Sequence, residues 1–542
     1  MFVIQSSLIW QARAARWAPW VALLALLVML VAGMMVPVYS DEVGWRLQER
    51  AGIDGVDKLY SEQCGPGTLA VAPWFMMPVR WYSAYFNLAL PDPFWVRASG
   101  VAYALVLVAL MLALVWASAR GNARRPLATL ALGLLGLGTL PWLLVWSRPE
   151  QPIVLAALGS LLLALARGNW RRRLGPPLVL ALATVALAYH FKALVLLPLF
   201  LACVAACGPV RRDWLWRLIN MALMLAMTAV AARYWFARMA CPGDAVLAAQ
   251  HARQSLSLQV LAGSQGWLGA GLRLLGNYNL AAYVSLAAPN ATPMSNWVLP
   301  GLVGKLGHVI WVAALILGWF GALGMAIWAV VDAARRRLKD VRPWLALVLF
   351  GCLSVWCVGQ IVHNTYEAGF MLPLLAAVGV LALGTPGLPA PLGRAVAGLA
   401  GALALAVPLS AAALLVIYGP SLARAAGTPG YLPGQPYSQG LRAYPAARIA
   451  QAAAACGITP ASHPRRLLID DVTYFAFMAA PLPDHQISVI EPQWRGAVTD
   501  PLAYLKARHS SGMVLGCQHL PPELRAKARA SGEFCCIGPA QW

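Results

Sequence analysis

The sequence predicts a polytopic α-helical membrane protein with a small C-terminal α/β domain, and three observations predict it. Of its 542 residues, 60% are hydrophobic and 11% are charged, against about 25% charged in a soluble domain. Apolar runs of about 18 residues or more, enough to cross roughly 30 Å of hydrocarbon, recur through the first 418 positions and not beyond. The arginines fall in every second short loop, which is the positive-inside pattern of a multi-span protein. That placement also accounts for the formal charge of +21 without a nucleic-acid partner.

About eleven spans follow along the chain: Trp17–Val36, Phe94–Ala117, Leu127–Trp146, Pro152–Ala166, Pro176–Ala188, Ala193–Ala206, Leu215–Trp235, Leu306–Val331, Trp344–Val362, Gly369–Leu383 and Ala395–Tyr418. Several are short and are expected to tilt or re-enter. The first is a retained span, because its apolar stretch is too long for a signal peptide and no small-residue cleavage site precedes Asp41. The basic clusters are Arg13 and Arg16; Arg120, Arg124 and Arg125; Arg167 and Arg171–Arg173; Arg211, Arg212 and Arg217; and Arg335–Arg337, Lys339 and Arg342. The intervening short loops hold only Arg148 and Lys192. This sets the N-terminus in the cytoplasm of a bacterial-type inner (plasma) membrane, and an odd number of spans exports the C-terminus to the periplasm.

The organisation expected is a transmembrane module over residues 1–418, with periplasmic loops at 39–93 and 236–305, and a soluble periplasmic domain over 419–542. The first loop holds a helical stretch at Asp41–Ala51 and a Pro/aromatic stretch at Pro73–Trp81, and the second an amphipathic stretch at Trp267–Leu275 suited to the membrane interface. In the terminal domain, β-type runs at Leu467–Ile469, Ile487–Ile490, Met513–Leu515 and Phe534–Ile537 alternate with helical stretches at Val472–Ala480, Leu502–Arg508 and Pro522–Ala530.

Cys203, Cys207, Cys352 and Cys357 lie within spans and read as packing residues. Cys64, Cys241, Cys456, Cys517, Cys535 and Cys536 lie on the exported side, where disulfides persist. At least one bridge is expected there, from Cys535 or Cys536 to Cys517 or Cys456, with the connectivity open. None of the cysteines has zinc-site spacing, so no metal site is expected.

Residues that carry chemistry sit at the exported ends of spans. Asp41-Glu42 follows the first span directly, and a carboxylate fixed there is placed to take a proton from an acceptor hydroxyl. Ser147-Arg148-Pro149-Glu150 forms an exported turn. Its bland reading is a capping box, Ser147 as N-cap and Glu150 three residues on, but that leaves Arg148 unexplained, and an arginine suits bidentate binding of phosphate. His190 and Lys192 stand between two short spans, where ionisable groups are costly and default to function unless they snorkel. His363 and Glu367, in the next exported turn, are a weaker pair that can bond each other across one helical turn. Together these groups suit an anionic lipid headgroup.

An acidic pair after span one, a long first exported loop with interfacial helices, many spans and an exported C-terminal domain resemble the GT-C superfamily. Its members are membrane glycosyltransferases that use polyprenyl-phosphate sugars, among them aminoarabinose, mannosyl and arabinosyl transferases. Ser147–Glu150 is similar to the Arg-Pro-Glu turn of cell-wall arabinosyltransferases, and Phe370-Met371-Leu372-Pro373 to an aromatic-Leu-Pro span of such enzymes. The resemblance implies Asp41, with Glu42, as catalytic carboxylates. It implies Arg148, His190, Lys192 and His363 at the donor phosphate, and Glu150, Arg80 and Glu367 as further substrate-binding residues. This chain has Glu367 where relatives often carry a basic residue. The implied activity is inverting transfer of a sugar from an undecaprenyl-phosphate-type carrier to a cell-envelope glycan or glycolipid acceptor. No cofactor is required, and a divalent cation on Asp41 or Glu42 is allowed but not demanded. There is no GxGxxG or P-loop pattern. Two other classes fit the span count: an O-antigen polymerase or ligase, which usually places its large loop between late spans, and a transporter. The chain lacks the internal repeat and midplane polar groups typical of a transporter.

Overall fold

The computed structural model describes residues 2–51, 71–207, 213–239, 258–277, 302–335, 340–359, 367–384, 390–432, 435–439, 444–459, 467–478, 485–486, 500–507, 510 and 512–542. Cys64, Cys241, His363 and the run Ile487–Ile490 lie outside them. The chain divides into two compact units: unit 1 is residues 1–34, 99–228 and 258–421, and unit 2 is residues 35–98, 229–257 and 422–542.

Unit 1 is helical. Helices occupy the expected spans, and five helices among the described residues are long and apolar enough to cross a membrane: Arg16–Met35, Pro93–Ser118, Trp214–Ala237, Arg342–Gly359 and Ala390–Gly427. Three apolar helices are shorter, Glu150–Leu165, Phe191–Ala206 and Gly369–Leu383. Two expected spans are not single α-helices: Ala193–Ala206 opens in the short 3₁₀ helix Phe191–Leu196 before the helix Leu197–Ala206. Leu127–Trp146 is split into Arg124–Gly136 and Leu140–Leu144, because Gly138 takes φ +62° and Pro141 at the next helix start removes a backbone donor.

The arginines of the basic loops have structural partners. A helix ends in carbonyls without intrahelical partners and a partial negative charge, and the arginines go there. Arg124 donates to Ala119 O at 3.1 Å. Arg171 donates to Ala166 O at 2.6 Å and Ala206 O at 2.9 Å. Arg217 reaches Ala205 O at 2.8 Å, and Arg342 reaches Gly384 O at 2.7 Å as well as Ser118 O. Asp340 holds Arg342 through an ion pair of 2.5 Å.

Among the described residues of unit 2 there are two sheets. In the first, Val38–Tyr39 (β1) and Tyr431–Leu432 (β2) flank Gln435–Gln439 (β3), all antiparallel. The exit of the first span is thus stitched to the segment that follows the last one. In the second, Leu468–Ile469 (β4), His485–Gln486 (β5), Met513–Gly516 (β6), Arg529–Ser531 (β7) and Phe534–Ile537 (β8) take the order β5-β4-β6-β8-β7, with β4 parallel to β5 and β6 and the rest antiparallel. The expected helix over Pro522–Ala530 stops at Arg525, and Arg529–Ser531 is an edge strand instead. Gly532, with φ +62°, turns the chain tightly into β8, as a two-residue hairpin loop requires.

Successive residues of a strand face opposite sides of the sheet, which explains the adjacent cysteines. Val514, Phe534 and Cys536 join one apolar cluster with Ile449 and Ala453 of helix Ala446–Ala455. Met513, Leu515, Cys535 and Ile537 join another with Leu505 and Leu524. Each face has its own bridge, Cys456–Cys536 and Cys517–Cys535. The expectation of a bridge from Cys517 to Cys535 or Cys536 is met, and a second is present.

The bridges close loops of 80 and 18 residues, for which chain entropy gives about 4.5 and about 3 kcal/mol. Cys456→Ala is therefore expected to lower hydrogen-exchange protection of β6 and β8 more than Cys517→Ala. Equal losses, or the reverse order, would show that loop entropy is not what these bridges contribute.

Candidate functional site

Two groups of the sequence-selected residues are built into different units, and each is described within its own.

In unit 2, Ser40–Ala51 is a helix with Asp41 and Glu42 in its first turn, where negative charge is favoured by the helix dipole. The two carboxylates differ sharply. Glu42 is 0% exposed, and so is its partner Arg97. Arg97 Nη2 lies 2.7 Å from Glu42 Oε2 and Nη1 lies 3.1 Å from Oε1, a two-pronged ion pair. The same guanidinium donates to Val36 O at 3.0 Å through Nε and to Pro37 O at 2.6 Å through Nη2. Arg97 thereby fixes the exit of the first span onto the first turn of the next helix. Arg46, also buried, donates to Glu42 O and lies over the Trp45 ring at 4.9 Å. Asp41 is only partly buried. Of the acidic pair, then, Glu42 is committed to holding the backbone, while Asp41 keeps contact with solvent.

In unit 1, three separate turns converge. The turn before helix Glu150–Leu165 is pinned from several sides. Ser147 Oγ lies 2.9 Å from Ser99 Oγ, and Gln151 Nε2 donates to Gly100 O at 3.1 Å and Leu144 O at 2.7 Å. Gly100 is required there, since a Cβ would meet Val145 O at 1.9 Å. The capping-box reading is overturned: the N-cap is Pro149, with no side-chain cap bond. Ser147 is taken by Ser99, and the Glu150 carboxylate turns to cations instead of its own backbone.

Those cations are Arg148 and Lys192. Arg148 Nε and Nη2 lie 3.2 and 3.4 Å from the two Glu150 oxygens, and Lys192 Nζ lies 2.5 Å from Glu150 Oε1. Lys192 also reaches Glu367 Oε1 at 3.4 Å and lies over the Trp356 ring at 5.3 Å. Trp356 Nε1 donates to Glu367 Oε2 at 2.9 Å, and its ring meets Phe370 of the aromatic-Leu-Pro segment with centroids 6.2 Å apart. His190 Nδ1 accepts from Lys192 N at 3.2 Å, starting the short helix Phe191–Leu196. Burial alone would raise the Glu150 carboxyl, but the charges of Arg148, Lys192 and His190 and the Lys192 hydrogen bond outweigh it and hold Glu150 well below the usual carboxylate range.

Arg148, Glu150, Lys192 and Glu367 are all buried. Among the described residues the cluster's two cations and two carboxylates balance in formal charge. What it offers is geometry: an arginine fork and a lysine aimed at one oxyanion, the position now held by Glu150. Arg80 lies elsewhere, in unit 2 on helix Met77–Leu88. Among the described residues no group of three or more His, Cys, Asp or Glu side chains gathers, and both Glu42 oxygens are engaged by Arg97.

Sequence reasoning missed Arg97, Ser99 and Gln151. Arg97 was legible as a lone cation near the exported end of an otherwise apolar run, where charge is costly. Ser99 and Gln151 carry no such signal, because their roles exist only through contacts between helices.

No protein-family model and no curated protein matches the chain. Among solved structures, it is similar to ArnT from Cupriavidus metallidurans bound to undecaprenyl phosphate, at 15% identity and a TM-score of 0.38, covering 96% of this chain and 97% of that one. It is also similar to the oligosaccharyltransferase of Archaeoglobus fulgidus tethered to an acceptor peptide, at 10% identity, and to AglB from the same organism in complex with an inhibitory peptide and a dolichol-phosphate, at 11%. Both of these have a TM-score of 0.43 and cover 92% of this chain and 69% of the other.

Proposed function

We propose that the chain is an inverting glycosyltransferase that moves a sugar from a polyprenyl-phosphate carrier to a cell-envelope glycan or glycolipid acceptor at the periplasmic side of a bacterial inner membrane. The observation that carries this reading is the convergence of Arg148 and Lys192 on one buried carboxylate at the ends of apolar helices. Ionisable groups at such depth are expensive and mark function by default. A fork and a lysine that grip a carboxylate offer a phosphate the same bonds, and arginine matches phosphate bidentately.

In the proposed reaction Asp41 takes the proton of the acceptor hydroxyl as its oxygen attacks the anomeric carbon. The carbon–oxygen bond to the carrier breaks with its electron pair leaving on the phosphate, and the configuration inverts. The carrier phosphate is already a good leaving group, so the reaction as proposed needs no nucleotide and no cofactor. Within unit 1, Arg148 and Lys192 are the cations proposed to bind a phosphate. The proposed topology keeps the N-terminus cytoplasmic and residues 419–542 periplasmic.

Titration with undecaprenyl phosphate, followed by tryptophan fluorescence, tests the donor site. Loss of one charge-assisted interaction corresponds to about 1.5–3 kcal/mol, so Arg148→Ala is expected to weaken binding about 10- to 100-fold, with Arg148→Lys recovering only part. Glu150→Gln should act with the opposite sign, because it removes the carboxylate that competes for both cations. If both variants bind as wild type does, the cluster is a brace between helices and the donor binds elsewhere.

A further inference from the structure

Helix Met77–Leu88 is built the wrong way round for an ordinary surface helix. Its outward positions are aromatic: Trp81, Tyr82 and Tyr85 are exposed. Its inward stripe at positions 80, 83, 84 and 87 has the i, i+3, i+4, i+7 spacing of a core face, yet three of the four residues are polar. Arg80 is 1% exposed, Ser83 2% and Asn87 4%. Arg80 donates one Nη1 bond to Tyr234 Oη and lies over that ring at 5.4 Å. Among the described residues its Nε and Nη2, the Ser83 hydroxyl and both polar atoms of the Asn87 amide have no hydrogen-bond partner. Buried polar atoms are nearly always partnered, so five on one helix face form a coherent demand.

The chemistry of that demand is specific. Nε and Nη2 are the side-on edge of a guanidinium, the pair of parallel donors that grips a carboxylate or phosphate. Ser83 and Asn87 follow one and two turns on, about 4.5 and 10.5 Å along the axis, and offer a hydroxyl and an amide that both donate and accept. An oxyanion flanked on one side by neutral hydroxyls satisfies this row, and a saccharide that carries a phosphate or acidic group is such a ligand. The aromatic outer face is the kind that rests at a membrane–water interface, which puts the polar face at headgroup level. We propose that the inner face of helix Met77–Leu88 binds the anionic saccharide headgroup of a membrane glycolipid, with Arg80 on the oxyanion and Ser83 and Asn87 on sugar hydroxyls. Resting on the transferase reading, this makes the acceptor an acidic glycolipid. Being shut from bulk water strengthens each bond the face makes.

The test is binding by the full chain, with no donor present, so that it does not depend on turnover. Thermal shift in detergent with glucose 1-phosphate, inorganic phosphate and glucose is compared with titration into nanodiscs that contain phosphatidylinositol or only phosphatidylcholine. Saturable binding of glucose 1-phosphate is expected, with weaker binding of phosphate and none of glucose. Phosphatidylinositol discs should bind tightest, and free glucose 1-phosphate binding more tightly than these would overturn the lipid-borne part. Arg80→Met should reduce binding tenfold or more, and Asn87→Leu several-fold. Asn87→Leu without ligand should melt no lower than wild type, because it removes buried unpartnered atoms, so its loss of binding is not a loss of fold. Equal binding by wild type and Arg80→Met, or no saturable binding of glucose 1-phosphate or phosphatidylinositol by wild type, overturns the site. Headgroup binding that persists in a chain without transfer activity counts against the transferase reading alone.

Discussion

Asp41→Asn is expected to reduce sugar transfer about 10²- to 10⁴-fold, the usual contribution of a positioned general base, while the affinity for the polyprenyl-phosphate carrier stays near that of wild type. The substitution keeps the shape of the side chain and most of its hydrogen-bonding capacity and removes only basicity. Asp41 is proposed over Glu42 on the contacts that Glu42 makes. Both Glu42 oxygens are engaged by Arg97 at 3.1 and 2.7 Å, and a proton arriving there would have to displace a buried guanidinium. Glu42 is therefore occupied by Arg97, and Asp41, one residue earlier and partly exposed, is the proposed base. The measurement is transfer from a radiolabelled lipid-linked sugar in liposomes, with kcat and donor affinity determined separately. A loss confined to kcat places chemistry at Asp41. Full activity of the variant would remove the acid–base role from this turn and favour a carrier that moves its substrate unchanged.

Much of this arrangement was legible from the chain alone, and the limits have physical causes. Apolar runs marked the helices, because each must satisfy its own backbone in lipid. The clustered arginines could be counted from the sequence, and their bonds to Ala119, Ala166, Ala206 and Gly384 give them a structural role. The turns at 148–150, 190–192 and 367 could be chosen, since charge at a span end is conspicuous. What could not be read was the pairing. Glu150 fits a capping box equally well until the fold brings Lys192 to 2.5 Å, 42 residues away. Ser147 is a plausible cap until Ser99 takes it. The break at Gly138 in an apolar run was likewise hidden, because composition reports hydrophobicity and not continuity of a helix.

Arg97→Ala should be the most damaging single substitution for unit 2. Removing one partner of a buried ion pair leaves an uncompensated charge, at about 3–5 kcal/mol, and this one also strands the carbonyls of Val36 and Pro37. Glu42→Gln should cost less. The amide still accepts from Arg97, whose bonds to Val36 O and Pro37 O remain. The double change Arg97→Met with Glu42→Leu is the decisive arm, because replacing a whole buried pair by apolar groups of similar volume is often close to neutral. It should recover most of the stability lost in Arg97→Ala, since no charge is then stranded. It should not recover full transfer, because the first turn that carries Asp41 loses its anchor to the exit of the first span. Hydrogen exchange over helix Ser40–Ala51 reports the first effect and kcat the second. If the double variant is as unstable as Arg97→Ala, the helix is held by packing that the pair does not supply. If it is stable and fully active, the Arg97–Glu42 bond has no part in setting Asp41.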